Sequence, residues 1–565
     1  MNKILTKIII LFLGIFAIFL ICKQTDANNK HYLEVFYPKS NSVTIDAQST
    51  FLIGHTNFGS ILTINNETVD VLPNGSFATD VKLKEGENKF QLISNYNNEQ
   101  KTLDYVVIKP PKKRAYPHLS LIINEKSLTP NQDMWLKEGD ELVVEFDGSK
   151  WHKAEMSIQG KTIPMSEFWG HYTGRYKIAK EDKFDNLQVS VSLNSGNAQI
   201  VAKTKGLIST KTTQNGQIIK AEATIREKPD GTRLTPLPIG TKLTITGKIN
   251  NCYRFSLNNK DAWVKCEDVK LEDKPFIDRL YNVKNISLKE DDKAIMLSLC
   301  LDEIIPFTIN ESDGSILLRL GDIASVPAIN LPIVETNIDK NTLCLKITPQ
   351  LKSLYGYDYF YNKNELILMI RKTPCIDENN PLNNKTIVID PGHGGKELGA
   401  IGPTGIPEKE INLKIAQYLK PELEKHGAIV ILTRDCDKQL DLNDRVKIAK
   451  EANADILLSV HNNAIPDGKS LKNEHGTSVY YYHPHAEMLA KSLHKTLLED
   501  LKLKNYGIHK QSFVLTRPTT PIAVLVETAF MIYPYEYTLL ITDTFQNKAA
   551  ISIRRGLEDY FRQLK

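Results

Sequence analysis

The sequence predicts a multidomain chain: several all-β modules, then a C-terminal α/β domain with a central twisted sheet flanked by helices. Three observations carry this. At 565 residues the chain exceeds what one hydrophobic core supports, and its length suggests about three to five domains. Up to residue 372, short apolar or alternating runs are separated by Asn, Gly and Pro turns, the pattern of strands. From Thr386 onward, strand-like runs alternate with helical periodicity, which implies a sheet covered on both faces.

Composition bounds the function. An apolar content of 41% with 24% charged residues excludes wholesale disorder. A net charge of +4 spread over this length supplies no basic stripe, so no nucleic-acid partner is expected.

Residues 1–27 read as an address. Lys3 and Lys7 precede an unbroken apolar run from Ile8 to Ile21, and Thr25 and Ala27 put small residues before a cleavage point. The run is short for a membrane span, so it reads as a signal peptide first and an uncleaved signal anchor second. Cys22 offers a lipoprotein alternative, against which stands the bulky Ile21 before it. Each reading exports the chain to the periplasm or cell envelope, membrane-tethered where the leader stays. Of the seven cysteines, only Cys252 and Cys266 are close enough in sequence to suggest a bridge in one module. Two buried thiols on neighbouring strands fit the spacing equally.

Residues 31–109 show strand runs at Leu33 to Phe36, Ser60 to Ile64, Phe90 to Ile93 and Tyr105 to Ile108. With its Leu72-Pro-Asn-Gly-Ser-Phe77 turn, this stretch resembles the immunoglobulin-like modules of secreted bacterial proteins. A Pro110-Pro111 linker with basic residues to Arg114 follows. Residues 116–206 repeat the character as a second β-sandwich-like module, in which Trp151, Trp169, Tyr172 and Tyr176 either line a sugar-binding surface or, more simply, fill the core. Residues 217–271 are similar to a bacterial SH3-like barrel on Ala223-Thr-Ile-Arg-Glu-Lys-Pro229, Leu237-Pro-Ile-Gly240 and Ala262-Trp-Val-Lys265, with Trp263 a wall-peptide contact or a core residue. Residues 276–372 are another strand-rich region, faintly similar to β modules that target enzymes to envelope machinery. A linker at 373–385 ends this half.

The last domain, 386–565, opens with TIVIDPGHGG, where a strand runs into a Gly-rich turn carrying His393. Glu408 lies at the start of a helix whose Ile411, Ile415, Leu419 and Leu423 share one face. Asp455 to Val460 is a strand delivering His461, and Pro521 to Val526 is a strand delivering Glu527. Two imidazoles and one carboxylate make a donor set for Zn²⁺ with a fourth position for water, and a further carboxylate remains for proton transfer. Singly, each has a plain structural explanation: a turn cap, an early helix residue, a partner for an arginine.

The motifs IDPGHGG (389–395), GIPEKEINL (405–413), TRDCD (433–437), LNDR (442–445), ADILLSVHNNA (454–464), GTSVYYY (476–482) and PIAVLVETAF (521–530) resemble, in order, the zinc-dependent N-acetylmuramoyl-L-alanine amidases of the amidase-3 type. The resemblance implies His393, Glu408 and His461 as zinc ligands and Glu527 as the catalytic glutamate, with Glu410 the rival ligand two residues away. It places Arg434 and Arg445 at family positions, as bracing ion pairs or substrate contacts, and makes Asp390 and Asn463 candidates for orienting ligands or loops. The implied reaction is hydrolysis of the amide between N-acetylmuramic acid and L-alanine in peptidoglycan, with the β modules tethering the chain to wall or to envelope and cell-division proteins. Two other readings are a zinc peptidase or carboxypeptidase on wall stem peptides and a non-catalytic envelope adaptor. Where many relatives carry Ser-Asn after the catalytic strand, this chain has Phe530-Met-Ile-Tyr-Pro534. No long helical insertion follows His461, so residues 385–565 alone are expected to present an open site.

Overall fold

The computed structural model describes residues 30–110, 120–211, 213–272 and 279–565. The leader at 1–27, with Cys22, and the Pro111 to Arg114 part of the first linker lie outside the described residues. Among the described residues, no helix is long and apolar enough to cross a membrane. All-β sheets precede an α/β region, and the chain divides into two compact units. One combines the described part of Met1–Lys112 with Asp377–Tyr482 and Ala486–Gln563; the other is built mainly from Lys113–Ile376.

In the second unit, seven strands between Ile123 and Lys203 form one sheet around a core that includes Val144, Met156 and Val191. Of the four aromatics singled out there, Tyr172 is fully buried and Tyr176 hydrogen-bonds Asp182, whereas Trp151 and Trp169 are each 64% exposed. The Lys150 ammonium sits over both indoles, at 4.5 and 5.4 Å. Strand Met134–Leu136 leaves this region to pair with Ile208–Thr210 and, through Trp135 and Lys248, with Lys242–Ile249. The sheet around residues 214–271 thus borrows strands from the preceding stretch. A single hydrophobic core also runs from Ile218 through Phe255 and Leu297 to Ile370, so the small β unit and the region after it pack as one. Turn residues announce where strands end but not which edges pair, which is why these continuities are invisible in the sequence. Trp263 is 7% exposed but lies outside that core, between Ala262 and Val264 which belong to it, with the Arg254 guanidinium 5.9 Å from its ring. Cys252 and Cys266 are both free thiols, not joined in a disulfide.

In the first unit, the C-terminal α/β domain has six strands: β1 (Thr386–Pro391), β2 (Ile429–Leu432), β3 (Ile456–Asn463), β4 (Thr477–Tyr481), β5 (Asn505–Lys510) and β6 (Ile522–Phe530). Its sheet order is β2-β1-β3-β6-β4-β5. All neighbours are parallel except β4 and β6, which are antiparallel. Ile387, Val388 and Ile389 on β1 and Ile456, Leu457 and Leu458 on β3 are all 0% exposed, the near-continuous apolar runs of strands covered on both faces.

The helices supply that cover: α1 (Glu408–Lys425), α2 (Leu442–Glu451), α3 (Glu487–Leu501), α4 (Pro534–Leu540) and α5 (Asp543–Gln563). The stripe Ile411, Ile415, Leu419 and Leu423 on α1 is buried as its spacing predicts, as is Leu489, Leu493 and Leu497 on α3. The order β1, β3, β6 sets three parallel strands side by side and brings their C-terminal ends to one rim, where ligands and chemistry gather in such sheets. Leu419→Ala should cost about 2–5 kcal/mol, read as a matching loss of hydrogen-exchange protection at the amides of Ile387 to Ile389.

Candidate active site and metal centre

His393 lies two residues beyond β1, His461 on β3 and Glu527 on β6, while Glu408 is the first residue of α1. His461 and Glu527 face each other in register across the β3–β6 pair. Each is the first partly buried position after a fully buried run in its strand, where the two strands reach the rim.

The Glu408 carboxylate sits between the two imidazoles. Its Oε2 lies 3.1 Å from His393 Nε2 and its Oε1 2.9 Å from His461 Nδ1. One candidate donor atom from each residue falls within 4.8 Å of the other two, the spacing a single small cation can span. Glu408 is 4% exposed and also accepts from the N–H of Ala400 (3.0 Å), the N–H of Asn462 (3.2 Å) and Asn412 Nδ2 (3.0 Å). Burial opposes its ionisation, but hydrogen bonds from the two histidines and their charge outweigh this and hold the carboxyl well below the usual range. Two nitrogens and one charged oxygen, orientated from behind by amides, fit a divalent metal. Glu410, on the other side of the same first turn, is exposed and outside this cluster.

Two glycines make the room. A Cβ at Gly392 would overlap the His461 ring, and one at Gly399, where φ is +70°, would strike the Glu408 carboxylate and the His393 ring. His393 itself has φ of +62°, a left-handed conformation that a non-glycine residue holds only when its surroundings impose it. The surroundings here are two arginines. Arg445 donates to the carbonyls of Pro391 (2.9 Å) and His393 (2.8 Å), and Arg434 to those of Pro391, Gly392 and Lys409 at 2.8–2.9 Å. They are 1% and 3% exposed for Arg434 and Arg445 respectively, so both are committed to the turn beneath the site.

Asp390 completes this support. Its Oδ1 accepts from Arg445 Nη1 (2.7 Å) and Thr433 Oγ1 (2.6 Å), and its Oδ2 from Ser459 Oγ (2.7 Å), tying β1 to β3 and α2. Asn463 ends β3; its Oδ1 accepts the Ala464 N–H at 2.8 Å, and its side chain also reaches the Tyr480 phenol.

Glu527 has a different environment. Burial pushes its carboxyl well above the ordinary value, and the charge of Glu408 adds to this. Its Oε2 is buried with no hydrogen-bond partner among the described residues. The cross-strand neighbour is Ser478, and Tyr480 is close enough for the Glu527 charge to raise its phenol, after burial.

Several residues here escape the sequence reading. Asn412, 0% exposed, bonds Glu408 and receives Asn462 Nδ2 at 2.8 Å, and Asn462 is in turn bonded by the Thr528 hydroxyl. A polar residue four positions after Glu408, on the buried face of α1, was the available signal. Glu536 on α4 accepts from the N–H groups of Phe530 (2.8 Å) and Gly476 (3.3 Å) and pairs with His475 Nδ1 at 2.8 Å. That carboxylate stitches the end of β6 to the start of β4, in the stretch where this chain departs from the Ser-Asn pattern.

Residues 387–559 match the family model for N-acetylmuramoyl-L-alanine amidase, and the metal-type cluster lies inside the match. The C-terminal domain is of the amidase-3 type. Over 201 residues the chain is 33% identical to N-acetylmuramoyl-L-alanine amidase LytC of Bacillus subtilis, which covers 34% of this chain and 40% of that protein. Over 186 residues it is 36% identical to the probable cell wall amidase LytH of Staphylococcus aureus, covering 33% and 61%. The chain therefore spans less than two thirds of these relatives' lengths. The solved N-acetylmuramoyl-L-alanine amidase AmiC2 of Nostoc punctiforme aligns at 34% identity, covering 33% of this chain and 99% of that one, with a TM-score of 0.30. The all-β modules lie before the amidase-3 domain, outside its match.

Two outcomes follow for the amidase-3 domain. Asn412→Ala should weaken metal binding by about 10–100-fold, measured by competition with a chromophoric chelator. Asp390→Ala strands Arg445 in the interior and should cost about 3–5 kcal/mol, read by hydrogen exchange in β1 and β3.

Proposed function

We propose that this chain is a zinc-dependent N-acetylmuramoyl-L-alanine amidase, an enzyme hydrolysing the amide between the lactyl group of N-acetylmuramic acid and L-alanine in peptidoglycan. The observation that carries the reading is the His393, Glu408 and His461 cluster beside Glu527, whose Oε2 has no hydrogen-bond partner among the described residues, all within the stretch that matches the amidase family.

His393, Glu408 and His461 would hold Zn²⁺, a metal suited to imidazole and carboxylate donors with one open position. Bound there, the ion would supply Lewis acidity, lowering the pKa of water and polarising the scissile carbonyl. Glu527 does the proton work. Its high proton affinity and free Oε2 suit it to take a proton from the attacking water as oxygen bonds to the carbonyl carbon. As the C–N bond breaks, it returns that proton to the departing alanine nitrogen, leaving the lactyl carboxylate. Asp390, Arg434 and Arg445 act as bracing that keeps His393 in its strained turn, and Asn463 shapes the loop beyond His461.

The β modules deliver this domain to its polymer. We read 31–109 as immunoglobulin-like, 116–206 as a second sandwich, 217–271 as SH3-like and 276–372 as a targeting module, behind an export leader at 1–27 and a linker at 373–385. The working location is the periplasm or cell envelope, where such modules bind wall or envelope proteins and raise the local concentration of enzyme.

Glu527→Gln should keep its metal and lose about 10²–10⁴ in turnover, whereas His393→Ala should lose both. Metal analysis with mass-spectrometric counting of freed stem-peptide amines checks this. A Gln variant that turns over normally contradicts the role.

A further inference from the structure

The first β module and the amidase-3 domain belong to the same compact unit. The module has a three-stranded sheet, Leu33–Tyr37, Ser49–Thr56 and Ser76–Lys82, facing a five-stranded one across a core of Leu52, Leu62, Leu92 and Val107. The middle strand of the smaller sheet, Ser49–Thr56, is buried on both faces. Leu52 belongs to the module's core, but Phe51 and Ile53, 2% and 1% exposed, alternate to the other side and do not. An outer sheet of a free sandwich would show them to water.

Hydrogen bonds identify what covers them. Asp467 accepts from Tyr37 Oη at 2.7 Å and Thr50 Oγ1 at 2.6 Å, and the Gly468 N–H donates to the Ser49 carbonyl at 2.9 Å. From the module side, Asp80 accepts from Ser470 Oγ at 2.8 Å and from the Leu471 N–H at 3.1 Å. The Phe36 ring packs so closely on Gly405 that a Cβ there would come within 2.7 Å of it.

These contacts fall on two segments that flank the metal ligands. One, 464–476, leaves β3 directly after His461 and Asn463. The other, 399–407, runs into Glu408, and its Ala400 N–H bonds that carboxylate. Both segments also anchor on α4, where Tyr537 meets Thr404 and Glu536 holds Gly476.

We propose that the first β module is a fixed wall of the active-site rim, and that Asp467 and Asp80 are positioning residues pinning the 464–476 loop beside the metal ligands so that a peptidoglycan strand meets a preformed cleft. The assignment of the strand as occupant rests on the amidase reading; the pinning does not. A polymeric substrate needs contact surface beyond the reacting bond, and a loop held at both ends presents it without ordering cost on binding. The amidase-3 domain taken alone would lack that wall.

The test uses the full chain carrying Asp80→Ala with Asp467→Ala, alongside Asp467→Asn, which retains one acceptor for the two hydroxyls. Hydrogen exchange at the 464–476 amides should rise about tenfold or more in the double variant, while protection at Phe90 to Ile93 shows the module still folded. Metal content should hold, and KM for peptidoglycan should rise about tenfold with kcat changed less than about threefold, the Asn variant falling between. Unchanged loop exchange in a folded double variant overturns the pinning, and faster exchange with an unchanged KM overturns the wall. An unaltered chain that cleaves no peptidoglycan counts against the amidase reading, and loop exchange then still decides the pinning.

Discussion

A buried carboxylate is costly unless every lone pair is met, and Glu408 is 4% exposed. Satisfying it fixes most of what surrounds it. Two imidazoles must reach it from adjacent strand ends, two backbone N–H groups must turn towards it, and Asn412 must sit one helical turn below. The left-handed His393, the glycines at 392 and 399 and the arginines gripping the carbonyls of 391–393 follow as the means of delivering one of those imidazoles. Glu527, next to this arrangement but outside its hydrogen bonds, is left with the opposite tendency, a carboxyl that burial drives towards its protonated form. Two carboxylates pushed apart in proton affinity are the mark of a site where one binds and the other transfers protons.

The strand termini were legible because each ends an apolar run at a histidine or glutamate, and a buried parallel strand has a recognisable sequence. The buried faces of α1 and α3 were legible for the same reason, a period that survives in one dimension. Asn412, Asn462, Thr528 and Glu536 were not, since a buried polar residue is explained only by the partner it meets in space. Edge pairing was equally hidden. Nothing in the text around Trp135 announces that it will pair with Lys248, nor that Tyr37 will bond Asp467 across more than four hundred residues.

The β modules are less separable than their turn-rich boundaries suggest. Residues from 218 to 370 share one core, and the first module shares a compact unit with the catalytic domain at the far end of the sequence. The strand and turn pattern correctly implies β sheets ahead of the α/β region, but continuity of packing decides which can move independently. In this chain the module most distant in sequence from the metal cluster is bonded to the loop that follows His461.

The central claim is that this site opens the bond between glycan and stem peptide. The most direct measurement incubates the mature protein with intact peptidoglycan, with chelator and with zinc restored, and identifies the cleaved bond by mass spectrometry. Whole stem peptides with free L-alanine amines, released only when metal is present, are the predicted result. Release of a D-amino acid instead, or a zinc-loaded protein that cleaves no wall preparation, would contradict the account.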